Sequence, residues 1–515
     1  MLSAIMEKTI LPLLLLSLLL FPALSLCDIT SCSQTPYPEA CNSFLPTVSQ
    51  DTVSGFRNVA IMAAMDQAQA TLSWCPRGSM SSRAQAAWAD CLELTEDTVS
   101  KLNKTLVSSN LASSDTLTWL SAAITNDDTC RTGFSETPWL KSTDLSKLLS
   151  NSLAVEKSFA ARLDGLSGHT NRKLLSVQSR GFPEWVVAGD RRLLQASTGK
   201  ANLVVAKDGS GGFATISAAI TASEKQRKTS TSRFVIYVKE GTYKENIEIK
   251  KSMKNLMFVG DGIDKTIITG SRNVQDGSTT FRSATFAVAA DGFIAKDLTF
   301  ENTAGPQKHQ AVAFRSGSDL SVLYRCSFKG YQDTLYTYSQ RQFYRECDIY
   351  GTVDFIFGNA AAVLQNCNIY VRKPMSSQKN TITAQGRTDP NQNTGLSIHD
   401  SKVSASSDLK AVQNSFKTYL GRPWKEYSRT VFMKTALDNL IDPSGWLQWS
   451  GNFALRTLYY GEYMNSGAGA VTKSRVKWSG FHVMSASEAA KFTVGSFISG
   501  GSWIPNTGLP YTSGL

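Results

Sequence analysis

The chain has 515 residues, 42% of them apolar and 18% charged, with a net charge of +11. This length suggests about two to four domains; the apolar fraction excludes a disordered chain, and no run of about 18 apolar residues offers a membrane-spanning helix. Charge is unevenly placed: residues 1–192 hold 16 Lys and Arg against 18 Asp and Glu, and residues 193–515 hold 37 against 24. The basic part calls for an anionic partner, which nucleic acid, a membrane or an acidic polysaccharide would all satisfy.

Residues 1–26 read as a signal peptide. Lys8 precedes the apolar run Ile10–Phe21, broken by Pro12 and Ser17, and the small residues Ala23 and Ser25 follow. The run is too short for a membrane anchor, so the expectation is export and removal. Export permits disulfides, and the one glycosylation sequon, Asn103-Lys104-Thr105, makes Asn103 a candidate acceptor.

Val48–Cys75, Ala84–Leu106, Leu117–Ile124 and Leu145–Leu163 carry helical spacing of apolar residues, which predicts an all-α, up-and-down four-helix bundle within residues 27–170. Cys32 and Cys41 suit a staple across a small N-terminal hairpin, Cys91 and Cys130 could tie one helix to the connection after the next, and Cys75 is left over. Between Gly165 and Gly199 the pattern dissolves. Two similar quartets, Arg172-Lys173-Leu174-Leu175 and Arg191-Arg192-Leu193-Leu194, lie in a segment rich in Gly, Ser and Arg, where the charge balance also changes. A solvated linker is the plain reading; in an exported chain the repeated quartet reads as a protease address, with 171–195 a processing linker and 196–515 the second domain.

From Asn202 onward short β-rich runs alternate with Gly, Asp and Asn, as in Arg233–Lys239, Asn255–Val259, Thr266–Thr269 and Ala284–Ala289. Asp297-Leu-Thr-Phe-Glu, Arg325-Cys-Ser-Phe-Lys, Glu346-Cys-Asp-Ile-Tyr and Asn366-Cys-Asn-Ile-Tyr form a weak repeat whose second positions, 298, 326, 347 and 367, drift by 20 to 28 residues. Such a period predicts stacked coils, an all-β parallel β-helix, in preference to a β-sandwich with regular hairpins. Residues one coil apart then lie side by side, so Cys347 and Cys367 are expected to form a disulfide, with Cys326 free.

The same registry bears on chemistry. Asp333 and Asp354 are 21 residues apart and Gln310 and Gln332 are 22 apart, so two acids and two amides are expected on one patch. Neighbouring carboxylates in a partly dry site push their pKa values apart, supplying an acid and a base or nucleophile without a metal or cofactor. Glycoside hydrolysis and acyl transfer both fit such a pair; amide N–H donors favour acyl transfer, which develops an oxyanion. No Gly-x-Ser-x-Gly elbow and no His/Cys cluster with zinc spacing occurs in this part. Export and the lack of a recognisable nucleic-acid module oppose a nucleic-acid partner.

Gly241-Thr-Tyr-Lys-Glu245, Gln310-Ala-Val-Ala-Phe-Arg315, Tyr331-Gln-Asp-Thr-Leu-Tyr336, Val353-Asp-Phe-Ile-Phe-Gly-Asn359 and Leu420-Gly-Arg-Pro-Trp424 resemble, in order, the signature segments of plant pectin methylesterases. The resemblance spans about residues 200–505 and implies a right-handed parallel β-helix. It casts Asp354 as nucleophile on the C6 methyl ester of a galacturonosyl residue, Asp333 as acid and then base, and Gln332 and Gln310 as oxyanion donors. Arg422 would hold and orient Asp354, Trp424 would pack on a sugar ring, and Thr280 would contact substrate; Tyr331, Phe355 and Phe357 would line or support the cleft. The N-terminal part resembles the inhibitor-type pro-region of that family, with disulfides matching Cys32/Cys41 and Cys91/Cys130, and Arg191–Leu194 resembles its subtilase processing motif. The implied partners are pectin, a subtilisin-like protease and separate inhibitor proteins; the implied location is the cell wall, with no membrane attachment of the mature form.

Overall fold

The computed structural model describes residues 29–44, 53–73, 80–108, 113–133, 144–166, 201–227 and 232–515. The expected signal peptide, both basic quartets including Arg191–Leu194, and Cys75 lie outside the described residues. Among those described, no helix is long and apolar enough to cross a membrane.

A short helix α1 (Pro38–Phe44) leads into four long ones: α2 (Val53–Ser73), α3 (Ser82–Val107), α4 (Ser113–Gly133) and α5 (Asp144–Leu166). Helix α3 starts where Ser81 accepts the Ala84 N–H through its side chain, satisfying one of the free donors of the first turn. Ile61, Ala64 and Ala68 of α2 share one core with Leu102, Leu120, Ala123, Leu149 and Leu153 from the other three helices. Cys32–Cys41 and Cys91–Cys130 are disulfides, the second joining α3 to α4. Asn103 stands exposed on α3. Helix α4 runs well past the expected Leu117–Ile124. Its later turns are polar, yet Thr125, Thr129 and Thr132 donate to the carbonyls four residues back, Thr125 accepts a hydrogen bond from the second domain, and Asn126 bridges, donating to Asp97 of α3 and accepting from Tyr338 of the second domain.

Residues 201–515 coil into a right-handed parallel β-helix with three parallel sheets of 11, 7 and 8 strands. The four repeat segments fall on successive strands of the eight-stranded sheet, with Phe300, Phe328, Ile349 and Ile369 in register and fully buried. Their first residues, Asp297, Arg325, Glu346 and Asn366, all have φ between 49° and 58°, so each repeat opens on a left-handed corner. The interior is an aromatic stack in which Phe286 meets Phe300 edge-on and Phe300 lies flat on Phe328. Helix α6 (Ile216–Arg227) seals the first coil with Ile216 and Ala219. The C-terminal segment lays Val494, Ile498, Trp503 and Ile504 on the 11-stranded sheet.

One expectation fails. Cys347 and Cys367 are not bridged; with Cys326 they are buried free thiols. Stacking carries a side chain along by about 4.8 Å with its direction unchanged, whereas a disulfide needs Cβ atoms about 3.5–4.5 Å apart and turned toward each other. Each thiol instead donates to carbonyls lining the coil, Cys347 to Leu323 at 3.4 Å and Cys367 to Gln365 at 3.5 Å.

The bundle sits on the outer face of the seven-stranded sheet. Tyr338 Oη donates to Asn126 Oδ1 at 2.9 Å, Asn359 Nδ2 to Thr125 Oγ1 at 2.9 Å, and Lys425 Nζ pairs with Asp128 at 2.8 Å.

Candidate active site

In the seven-stranded sheet, strand Leu335–Thr337 pairs with Ile356–Gly358 so that Leu335 faces Ile356. Asp333 and Asp354 each precede these strands by two residues, and both occupy left-handed corners, at φ 62° and 51°. Asp tolerates that conformation better than most residues. Equal corners on adjacent coils put the two carboxylates side by side, both buried, in the wall of one cleft. Gln310 and Gln332 line the same cleft. Their coils are joined by Ala311 N–H donating to Gln332 O at 3.2 Å, so the amides are offset by one residue from the strand register.

Arg422 follows strand Thr418–Gly421 on a later coil. Its Nε donates to Asp354 Oδ1 at 2.8 Å and its Nη2 to Oδ2 at 2.7 Å, a two-pronged ion pair. Burial works against the Arg422 charge, but the hydrogen bonds and charge of Asp354 prevail and raise its pKa. Asp333 has no such partner. Burial first, and the Asp354 charge second, push its carboxyl well above the usual carboxylate range, with Arg422 opposing. The pair is therefore asymmetric: one carboxylate is clamped by a cation, and its neighbour favours the proton.

Trp424 stands edge-on to Phe357 at 5.9 Å and Tyr336 at 6.5 Å, and Thr280 lines the opposite wall. Gly386 makes room for the indole, since a Cβ there would come within 2.7 Å of it. The cleft, about 420 Å³, is closed from above by the bundle, whose Asp90, Asp128, Thr129 and Thr132 complete its lining. Two of the expected aromatics lie elsewhere. Phe355 points into the coil's core, and Tyr331 lies under Arg372, whose guanidinium is 3.8 Å from the ring centre.

Two residues carry no signal in the sequence reading. Thr381 Oγ1 donates to Asp354 Oδ1 at 2.6 Å and accepts the Asp354 N–H at 2.9 Å. It sits 27 residues on, because residues 372–379 lengthen that coil and hide the period. Trp449 covers Arg422, with 4.4 Å between guanidinium carbon and ring centre, and comes from a loop outside the repeat.

A parallel β-helix that sets a clamped aspartate beside a protonatable one, with two glutamines in the same cleft, has the groups that a carboxylate-based hydrolase needs. Residues 202–501 match the family model "Pectinesterase", and residues 29–155 match "Plant invertase/pectin methylesterase inhibitor". Pectinesterase 2 of Citrus sinensis and the probable pectinesterase/pectinesterase inhibitor 17 of Arabidopsis thaliana are each 55% identical, over 94% of both chains. The solved structure of the pectin methylesterase from carrot is 59% identical and superposes with a TM-score of 0.60, covering 62% of this chain and all of that one. The chain belongs to the pectinesterase family and carries an N-terminal domain of the pectin methylesterase inhibitor type.

Proposed function

We propose that the chain is the precursor of an enzyme that hydrolyses C6 methyl esters of homogalacturonan, giving demethylated pectin and methanol. The observation that carries this reading is the asymmetric pair: Asp354 gripped by Arg422 beside a buried Asp333 whose carboxyl favours its proton.

Asp354 Oδ attacks the ester carbonyl carbon, and the oxyanion is met by side-chain N–H groups of Gln332 and Gln310. Asp333 gives its proton to the methoxy oxygen as the C–O bond breaks, releasing methanol and leaving an acyl-Asp354 anhydride. The Asp333 carboxylate then takes one proton from water as the water oxygen attacks the acyl carbon; the acyl–Oδ bond to Asp354 breaks, the uronic acid departs and ionises in solvent, and both aspartates regain their starting forms. Trp424 offers a face for a sugar ring and Thr280 a hydroxyl on the far wall.

In this reading residues 1–26 direct export to the cell wall, 27–170 form the pro-region, and a subtilisin-like protease cuts at Arg191–Leu194 within 171–195 to free 196–515. Asn103, exposed on α3, is the glycosylation acceptor. The pro-region silences the precursor because its helices occupy the mouth of the cleft; a separate inhibitor protein of the same type would compete for that surface. Methylated pectin and a methanol assay test the proposal. The cut chain should release methanol and its Asp354→Ala variant should not; equal release by both would overturn the assignment.

A further inference from the structure

The bundle docks on a set of cations of the second domain through its own carboxylates. Arg282 Nε meets Asp90 at 2.5 Å and its Nη2 meets Glu93; Lys251 Nζ meets Asp97 at 3.0 Å; Lys425 meets Asp128 at 2.8 Å. Asp90, Glu93 and Asp97 lie on one side of α3, spaced by three and four residues. Between them Leu94 joins the apolar cluster of Phe281, Ala287, Tyr336 and Phe357, three of which also line the cleft. The helix thus offers a row of carboxylates flanking an apolar contact, which is also the chemistry of a de-esterified uronan: a carboxylate on each sugar and an apolar ring face between.

A second observation points the same way. Arg315 lies between these contacts, 3% exposed, stacked 3.3 Å above the Phe281 ring, and its Nε has no hydrogen-bond partner. Leu94, Glu93 and Arg315 line one small cavity. The charges of Glu93 and Glu248 act on Arg315, yet its Nε is hydrogen-bonded to no carboxylate, which leaves that buried donor for a further anion.

We propose that α3 occupies the cleft as a surrogate for de-esterified galacturonan, so that after the joint is cut a polyuronate displaces the bundle from the track Lys251, Arg282, Arg315 and Lys425. The proposal rests on the esterase reading and adds to it. The acidic product of one active molecule would strip the pro-region from the next.

The test uses the full chain with a site-specific protease sequence in place of residues 191–194, cut and then followed by size-exclusion chromatography. The cut chain should elute as one species in buffer, and short polygalacturonate should separate the pieces. Neutral galactan of equal length should not, and dextran sulfate of equal charge should need about tenfold more polymer, a gap of about 1.4 kcal/mol. In D90N/E93Q the concentration of polygalacturonate for half release should fall about tenfold, with the helical circular dichroism unchanged. Separation in buffer alone, no separation with polygalacturonate, or equal potency of galactan or dextran sulfate would each overturn the proposal. Elution reads out without turnover: pieces that separate as expected but release no methanol would overturn the esterase reading, and with it activation by product, while the displacement by polyuronate would stand.

Discussion

Arg422 holds both oxygens of Asp354, Nε to Oδ1 at 2.8 Å and Nη2 to Oδ2 at 2.7 Å. A planar fork fixes the carboxylate's rotation as well as its charge, and a lysine keeps only the charge. Arg422→Lys should therefore lower kcat for methanol release from pectin by about 10²–10³-fold, the range for removing one preorganised electrostatic group, with little change in KM. Retention of wild-type kcat would show that the fork does not position the nucleophile.

Asp333 pays for its role in stability. Its folded pKa lies well above the ordinary value because burial and the Asp354 charge penalise ionisation. For a raised group the favourable contribution is full below the unfolded pKa, about 3.9, and is lost as pH rises through the folded value. At neutral pH the ionised form is thus a liability, which Asp333→Asn removes. The variant should melt a few degrees higher near pH 7, match the parent near pH 3, and lose about 10²–10⁴-fold in turnover. Calorimetry across that range checks the sign: a lower melting temperature at neutral pH would contradict it.

The coil was legible because each repeat opens on a left-handed corner and then buries Phe or Ile, as at Glu346 followed by Ile349. The same period put Asp333 beside Asp354. At Cys347 and Cys367 the period gives adjacency but not side-chain direction, so it does not decide whether the two sulfurs meet. It was silent about Thr381, whose coil is longer, and about Trp449, which lies outside the repeat. Docking of the bundle over the cleft had no spacing signal; only the resemblance implied it. The short reading of α4 has a related cause, since its polar residues are buried by a domain distant in the chain.

The three buried thiols are open to a direct chemical test. Burial pushes Cys326 and Cys347 above the ordinary thiol range, so neither offers a thiolate or an accessible sulfur. Alkylation of the native protein should leave Cys326, Cys347 and Cys367 unmodified, and alkylation in denaturant without reductant should label all three. Peptide mass spectrometry reads both results, and a 347–367 linked peptide would restore the bridge.

Latency should depend on Leu94. It is 3% exposed and shares one apolar cluster with Phe281, Ala287, Tyr336 and Phe357 of the second domain. Shortening it removes apolar contact from the docked state alone, because an undocked bundle presents residue 94 to water. Large-to-small changes at buried leucines cost about 2–5 kcal/mol, and each 1.4 kcal/mol shifts an equilibrium about tenfold. Uncut Leu94→Ala should therefore show methanol release at least about tenfold above the uncut parent, while the cut forms of both, once their bundles have been separated off, turn over equally. An uncut variant as silent as the parent would mean that the polar contacts, Tyr338 with Asn126 and Lys425 with Asp128, hold the bundle without it.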